Sequence, residues 1–143
     1  RYTRDQCTYS SGVSIDACVR GICSLVPGVP GMSDRIRVIS IVDRFLEHPR
    51  VVIFENGGDP EVFISSADWM TRNLDNRVEI SAPILDETLK RFITDVMELQ
   101  FRDTTKARVI DEENANGYVL RGNRRKLRSQ MSTYNYIRRF EGV

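Results

Sequence analysis

Phe45-Leu46-Glu47-His48-Pro49-Arg50, Val51-Val52-Ile53-Phe54-Glu55, Asn56-Gly57-Gly58-Asp59-Pro60 and Glu61-Val62-Phe63-Ile64-Ser65-Ser66-Ala67-Asp68 follow one another without a break. Pro49 lacks an N–H and its ring clashes with a preceding turn, so no helix passes through it. Arg50 to Phe54 is β-branched and aromatic, and reads as a strand. Asn56-Gly57-Gly58-Asp59 is a turn that tolerates positive φ, and Glu61 to Ile64 is the return strand of a hairpin. Ser65-Ser66-Ala67-Asp68 leads into a short helical piece holding Trp69 and Met70. The stretch also contains the only histidine of the chain, His48.

Upstream, Val13, Ile15, Ala17 and Val19 alternate, which predicts a strand delivering Arg20 at its end, before Gly21. Val26-Pro27-Gly28-Val29-Pro30-Gly31 cannot be helix interior. Ser33 reads as a helix N-cap with Asp34 in the first turn. From Ile36 the front half alternates, while 39, 42, 45 and 46 repeat at helical spacing. The expectation is extended chain to Val38, then helix to Glu47, stopped by Pro49. Downstream, Arg77 to Ser81 reads as a strand closed by Pro83. Asp86 caps a helix from Glu87 to Phe101, whose apolar face is Leu89, Phe92, Ile93, Val96, Met97 and Leu99. Ala107 to Ile110 is a short strand, Asp111 to Gly117 a polar loop, and Lys126 to Phe140 a last helix carrying Leu127, Met131, Tyr134 and Ile137. Strands alternating with helices predict an α/β fold, a mixed β-sheet flanked by helices. With 143 residues the expectation is a single domain spanning 1–143. The polar residues 1–11 read as the end of a truncated helix or as a frayed segment.

The formal net charge is +1, so no bulk basic field calls for nucleic acid, and anion binding must come from local clusters. No apolar run has the roughly 18–20 residues of a membrane span. The opening Arg1-Tyr2-Thr3-Arg4-Asp5 has no apolar leader and no initiating Met, as expected for a piece of a longer protein. Cys7, Cys18 and Cys23 share no metal-ligand spacing, and with one His the expectation is no metal site and free thiols in a reducing cytosol.

His48 and Arg50 lie two apart at the start of a strand, so their side chains share a face. An imidazole can accept or donate a proton near neutral pH, and a guanidinium binds phosphate oxygens bidentately. The pair could hold a phosphoryl group and protonate a leaving oxygen; it reads equally as a surface His between two elements. Glu55, seven residues after His48, is a carboxylate that orients the imidazole or a neighbouring Arg, or a solvated strand end. Ser65, Ser66 and Asp68 are hydrogen-bonding partners for a phosphate or for His48; Asp68 reads equally as a helix cap. Arg20 at a strand end is a second phosphate clamp or a snorkelling rim residue. Arg124, Arg125 and Lys126, within Arg121 to Lys126, can grip a polyanion or form an ordinary basic loop. No phosphate-binding glycine loop, dinucleotide fingerprint or nucleophile elbow is present.

Four stretches together resemble the C-terminal part of the long, histidine-phosphorylating bacterial polyphosphate kinases. They are Val19-Arg20-Gly21-Ile22-Cys23 with its Pro/Gly loop; Arg37 to Arg50; Phe54-Glu55-Asn56-Gly57-Gly58-Asp59 through Ser65-Ser66-Ala67-Asp68-Trp69-Met70-Thr71-Arg72-Asn73-Leu74-Asp75; and Arg121-Gly122-Asn123-Arg124-Arg125-Lys126. The resemblance covers about Gly12 to Val143. It implies a phospholipase D-like domain. His48-x-Arg50, four residues, Glu55, then Ser65-Ser66-Ala67-Asp68 is similar to the phospholipase D pattern of His-x-Lys, four residues, Asp, then Gly-Ser-x-Asn. Arg for Lys, Glu for Asp and Asp for Asn argue against lipid hydrolysis. By the resemblance, the full enzyme moves the γ-phosphate of ATP to a histidine and on to a polyphosphate chain, reversibly and with Mg2+. The nucleophilic histidine then lies upstream, in a preceding domain. Arg20 and His48 match ATP-contacting positions, and Glu79 a position associated with activity. Adenine- and Mg2+-associated residues lie upstream. The implied partners are ATP and ADP, polyphosphate, the upstream domains and further copies of the enzyme, with no nucleic acid. The implied location is the cytoplasm, with association at the inner membrane face left open. Two other readings stand beside this one: a polyanion-binding or assembly module without chemistry, and a phospholipase D-type phosphodiesterase.

Overall fold

The computed structural model describes residues 12–113 and 115–140. The reading of residues 1–11 lies outside them. The described chain gathers into two compact units, the first ending at Leu46 and resuming at Leu99 to Arg138, the second running from Glu47 to Glu98 and rejoined after Arg138.

The first unit is built on a mixed three-stranded sheet. Strand β1 (Ile15–Cys18) runs parallel to β2 (Ile36–Ile41), and β2 runs antiparallel to a third strand, Ala107–Ile110. Being central, β2 is the most buried element: Ile36, Val38, Ile39 and Ile41 all face inward contacts. Ile39, Ile41 and Ala107 form the core, with Cys18, Phe101 and Val119 packed on it. Four β-branched residues in a doubly paired strand suit the pleat better than a helix. This corrects the expected helix from Ile39 to Glu47. Val42, Phe45 and Leu46 would have supplied its apolar face, but they are exposed. The backbone of Phe45 is instead paired by a side chain: its N–H donates to Gln130 Oε1 (3.0 Å), and Gln130 Nε2 donates to its carbonyl (2.8 Å). Ser33 caps no helix. Its buried hydroxyl donates to the Val26 carbonyl (2.6 Å) and accepts the Val29 N–H (3.1 Å), closing the Pro/Gly loop on itself.

The second unit carries an antiparallel sheet of β3 (Val51–Phe54), β4 (Glu61–Ser65) and β5 (Ser81–Ile84), in that order. The expected hairpin is present, with Val51 opposite Ile64 and Phe54 opposite Glu61. A short helix, α1 (Thr71–Leu74), follows β4, and the long helix α2 (Glu87–Phe101) follows β5. The Asp86 carboxylate accepts the Leu89 N–H, as a cap should. The strand expected at Arg77–Ser81 is displaced to β5, where Pro83 lies inside the strand opposite Phe63. An edge strand has a free side for a residue without an N–H. Val78 and Ile80 are exposed and offer no face to bury. The expected single mixed sheet is therefore two sheets, only one of them mixed.

The remaining elements are β6, the third strand of the first sheet (Ala107–Ile110), and helix α3 (Ser129–Ile137). That helix is shorter than its periodicity predicts, because Leu127 is held extended: its N–H donates to Thr104 Oγ1 and its carbonyl accepts the Thr104 N–H.

The hairpin turn fixes the direction in which β4 returns. Asn56 (φ 47°), Gly57 (φ 68°) and Gly58 (φ 98°) all have positive φ, and a Cβ at Gly58 would meet nothing within 4 Å. Gly58→Ala thus isolates the backbone cost, expected at about 1–2 kcal/mol. A urea midpoint unchanged from wild type would show that the turn is not held at that angle.

Candidate functional site

His48 leads toward β3 across Pro49, and Arg50 stands immediately before the first residue of the strand. Opposite, Asp68 leaves the end of β4, three residues before α1. Asp68 Oδ1 accepts from His48 Nε2 (2.9 Å) and from Arg50 Nε (2.8 Å), while Arg50 Nη2 lies 3.4 Å from His48 Nδ1. Arg72 Nη2 approaches the other oxygen, Oδ2, at 3.7 Å, outside hydrogen-bond range. The Arg50 and His48 hydrogen bonds hold the Asp68 carboxyl below the ordinary carboxylate range, against the smaller opposing effect of burial. An ionised carboxylate can only accept, so the contact puts a proton on His48 Nε2. Asp68 does not cap α1, whose N-cap position is Met70.

A second carboxylate braces the segment behind Asp68. Glu79 accepts from Ser66 Oγ and from Asn73 Nδ2 (2.7 Å), and Ser66 Oγ accepts the Ile80 N–H (3.1 Å). These hydrogen bonds, Ser66 first and then Asn73, lower the Glu79 pKa against burial. Ser65 Oγ accepts the Ala67 N–H (3.1 Å), and Ala67 and Asn73 are buried. Asn73 Oδ1 is enclosed with no hydrogen-bond partner among the described residues. The loop from Ser65 to Asn73 is thus pinned at several points, while the side chains of His48 and Arg72 stay largely open to solvent.

Of the residues singled out from the sequence, His48, Arg50 and Asp68 come together. Glu79 supports the same segment and contacts Ser66 and Asn73, not His48. Glu55 sits at the far end of β3, exposed, with no side-chain hydrogen bond or ion pair to the described residues; the carboxylate that meets the imidazole is Asp68. Arg20 belongs to the first unit, exposed just beyond β1, where the Val19 N–H donates to the Ile39 carbonyl. Arg125 and Lys126 are exposed, but Arg124 folds back onto the carbonyls of Arg121 (3.1 Å) and Leu120. Asn73 was not singled out from the sequence, and Arg72 reads there only as one of several arginines interspersed with acids on a solvated face. The available signal for Arg72 was its spacing of four from Asp68 just before a helix. Among the described residues no three His, Cys, Asp or Glu side chains converge.

Asp68 thus holds an imidazole and a guanidinium on one open face. Residues 8–130 match the family model described as polyphosphate kinase C-terminal domain 2. The chain belongs to the polyphosphate kinase family. It is 57% identical over 139 residues to a polyphosphate kinase of Vibrio parahaemolyticus, covering 97% of this chain and 20% of that protein. It is 58% identical over 132 residues to the polyphosphate kinase of Escherichia coli K12, covering 92% of this chain and 19% of that one. Its fold matches the crystal structure of the polyphosphate kinase from Porphyromonas gingivalis with a TM-score of 0.89 at 48% identity, over 94% of this chain and 20% of that one. The chain therefore spans about a fifth of the length of these relatives. Among the described residues, no helix is long and apolar enough to cross a membrane.

Proposed function

We propose that this chain is the C-terminal, phosphate-handling part of an ATP:polyphosphate phosphotransferase. In this reading it is a single phospholipase D-like domain of a larger cytoplasmic, oligomeric enzyme. The observation that carries the reading is the convergence of His48 and Arg50 on Asp68 in a chain of this family. A histidine of the upstream domains attacks the γ-phosphorus of ATP. Arg50 neutralises the equatorial oxygens as charge develops on them, and Arg20 keeps the ATP-contacting role that the family resemblance implies. The His48 Nε2–H, which rests on Asp68, turns to the leaving phosphate, donates a hydrogen bond to it and protonates it. Glu79 keeps the Ser66–Asn73 segment in place, and the orienting role anticipated for Glu55 falls to Asp68. Arg125 and Lys126, with Arg124 as a loop brace, offer a polyphosphate tail an electrostatic grip. Mg2+ accompanies the reaction through residues outside this chain, and no step here passes through it.

The reading predicts that the chain alone makes no polyphosphate from ATP, and that the full-length enzyme does. Incubation of each with labelled ATP, tripolyphosphate and a generic phosphodiester checks this. Polyphosphate synthesis by the isolated chain would show that no upstream nucleophile is needed. Binding without turnover in the full-length protein would favour a polyanion-binding module, and diester cleavage would favour a phosphodiesterase.

A further inference from the structure

Two guanidinium groups and an imidazole meet one carboxylate in the second unit. His48 and Arg50 both use Asp68 Oδ1, and Arg72 faces Oδ2. Glu79 adds a second negative charge that acts on Arg50 and Arg77, but its own hydrogen bonds go to Ser66 and Asn73, so among the described residues Asp68 is the carboxylate that meets Arg72.

Arg72 differs from the arginines that hold this chain together. Arg128 donates twice to Asp43, at 2.7 and 2.6 Å. Arg35 donates to the Gly12 carbonyl at 2.7 Å, and Arg108 to the Asn116 carbonyl at 2.7 Å. Arg72 donates no hydrogen bond to any described residue, and its side chain is 63% exposed. At 3.7 Å its contact with Asp68 is a weak, water-accessible ion pair. Its backbone, by contrast, is well fixed. Asn73 beside it is 3% exposed and tied to Glu79, and Asp75 donates its N–H to the Thr71 carbonyl at 2.9 Å. A fixed main chain carrying a guanidinium that donates no hydrogen bond to a described residue, beside Arg50 and His48, suits a ligand contact better than a structural tie.

We propose that Arg72 is a further phosphate-binding residue of the His48–Arg50 site, and that it takes the phosphoryl group next to the one held by Arg50. The ligand class is a condensed phosphate chain. Asp68 Oδ2 is the resting partner of the guanidinium, and the incoming phosphate replaces it with bidentate, charge-assisted hydrogen bonds. The inference rests on the polyphosphate kinase reading for its substrate class, but its test does not depend on turnover.

The test uses the full-length enzyme that contains this chain, with tripolyphosphate as the probe and isothermal titration calorimetry as the readout. Arg72→Ala is expected to weaken tripolyphosphate binding by about five- to twentyfold, the range of a partly exposed charge-assisted contact. The logarithmic salt slope should flatten by roughly one counterion. Arg72→Lys should recover the salt slope but only part of the affinity, because an ammonium restores charge without the planar fork. Arg91→Ala, on the exposed side of α2, is the control and should leave both unchanged. Arg72→Ala with wild-type affinity and slope overturns the proposal, as does an equal loss in Arg91→Ala. Polyphosphate synthesis by the wild-type enzyme is measured in parallel. Its absence would sink the kinase reading, while the tripolyphosphate titration would still decide the role of Arg72.

Discussion

His48→Ala in the full-length enzyme is expected to lower the rate of phosphoenzyme formation from ATP by roughly 10²- to 10⁴-fold, the range for losing a positioned general acid. The fold should survive the change. The His48 side chain is 45% exposed, and removing it leaves Arg50 paired with Asp68 at 2.8 Å. The loss should therefore appear in the chemical step, with the melting temperature held. His48→Gln separates two parts of the role. A glutamine amide can place an N–H near the position of Nε2, but it cannot transfer a proton. If His48 acts through proton donation, Gln should be about as slow as Ala. If it acts only by hydrogen-bonding the phosphate, Gln should recover most of the rate. Wild-type phosphoenzyme formation in the Ala variant would remove His48 from the mechanism altogether.

How much of this was legible depends on the range over which each signal acts. The hairpin was readable because its determinants are local: Pro49, the β-branched run, and the Asn-Gly-Gly turn whose residues take positive φ. Helix α2 was readable from its period and from the Asp86 cap. The segment after β2 was misread because Ile39, Val42, Phe45 and Leu46 satisfy a helical spacing by accident. What decides against the helix is tertiary: β2 finds partners on both sides, and Gln130 supplies from 85 residues away the hydrogen bonds that Phe45 would have made within a helix. Pro83 misled in the same way, since a proline stops a strand only where its N–H is needed. At the site, His48 and Arg50 were visible as an i, i+2 pair. The choice between Glu55 and Asp68 was not, because the hairpin register determines it. Val51 opposite Ile64 returns the end of β4 to the beginning of β3, bringing Asp68 to His48 and leaving Glu55 at the other end. Arg72 was hidden among mixed charges whose default reading is a solvated face.

Asp103 drew no attention in the sequence, yet Asp103→Asn is expected to be among the most destabilising single changes in the chain. Its side chain is fully buried in the first unit. Oδ1 accepts the N–H groups of Thr105 (2.7 Å), Lys106 (2.6 Å) and Ala107 (3.1 Å), and Oδ2 accepts that of Ser129 (2.6 Å). One carboxylate thus closes the turn into β6 and satisfies an N–H in the first turn of α3. An amide has one accepting oxygen, so either the Ser129 N–H or the three N–H groups of the turn would face an NH₂ group. The cost is expected at about 2–4 kcal/mol, the range for an orphaned buried donor plus lost charge assistance. The pH dependence follows from the same geometry. Burial alone would raise the Asp103 pKa, but the N–H groups of Lys106, Ser129, Thr105 and Ala107 together outweigh it and leave it below its usual value of 3.8. A depressed folded-state pKa means stability that is fully present above the unfolded value and is lost as pH falls through the folded one. The difference in urea stability between wild type and Asp103→Asn should therefore be constant from neutral pH down to about pH 5 and narrow below about pH 4. Urea titrations of both proteins across that range decide it. A gap that stays constant into acid would mean that the charge on Asp103 contributes nothing, and that the amide is penalised by its shape alone.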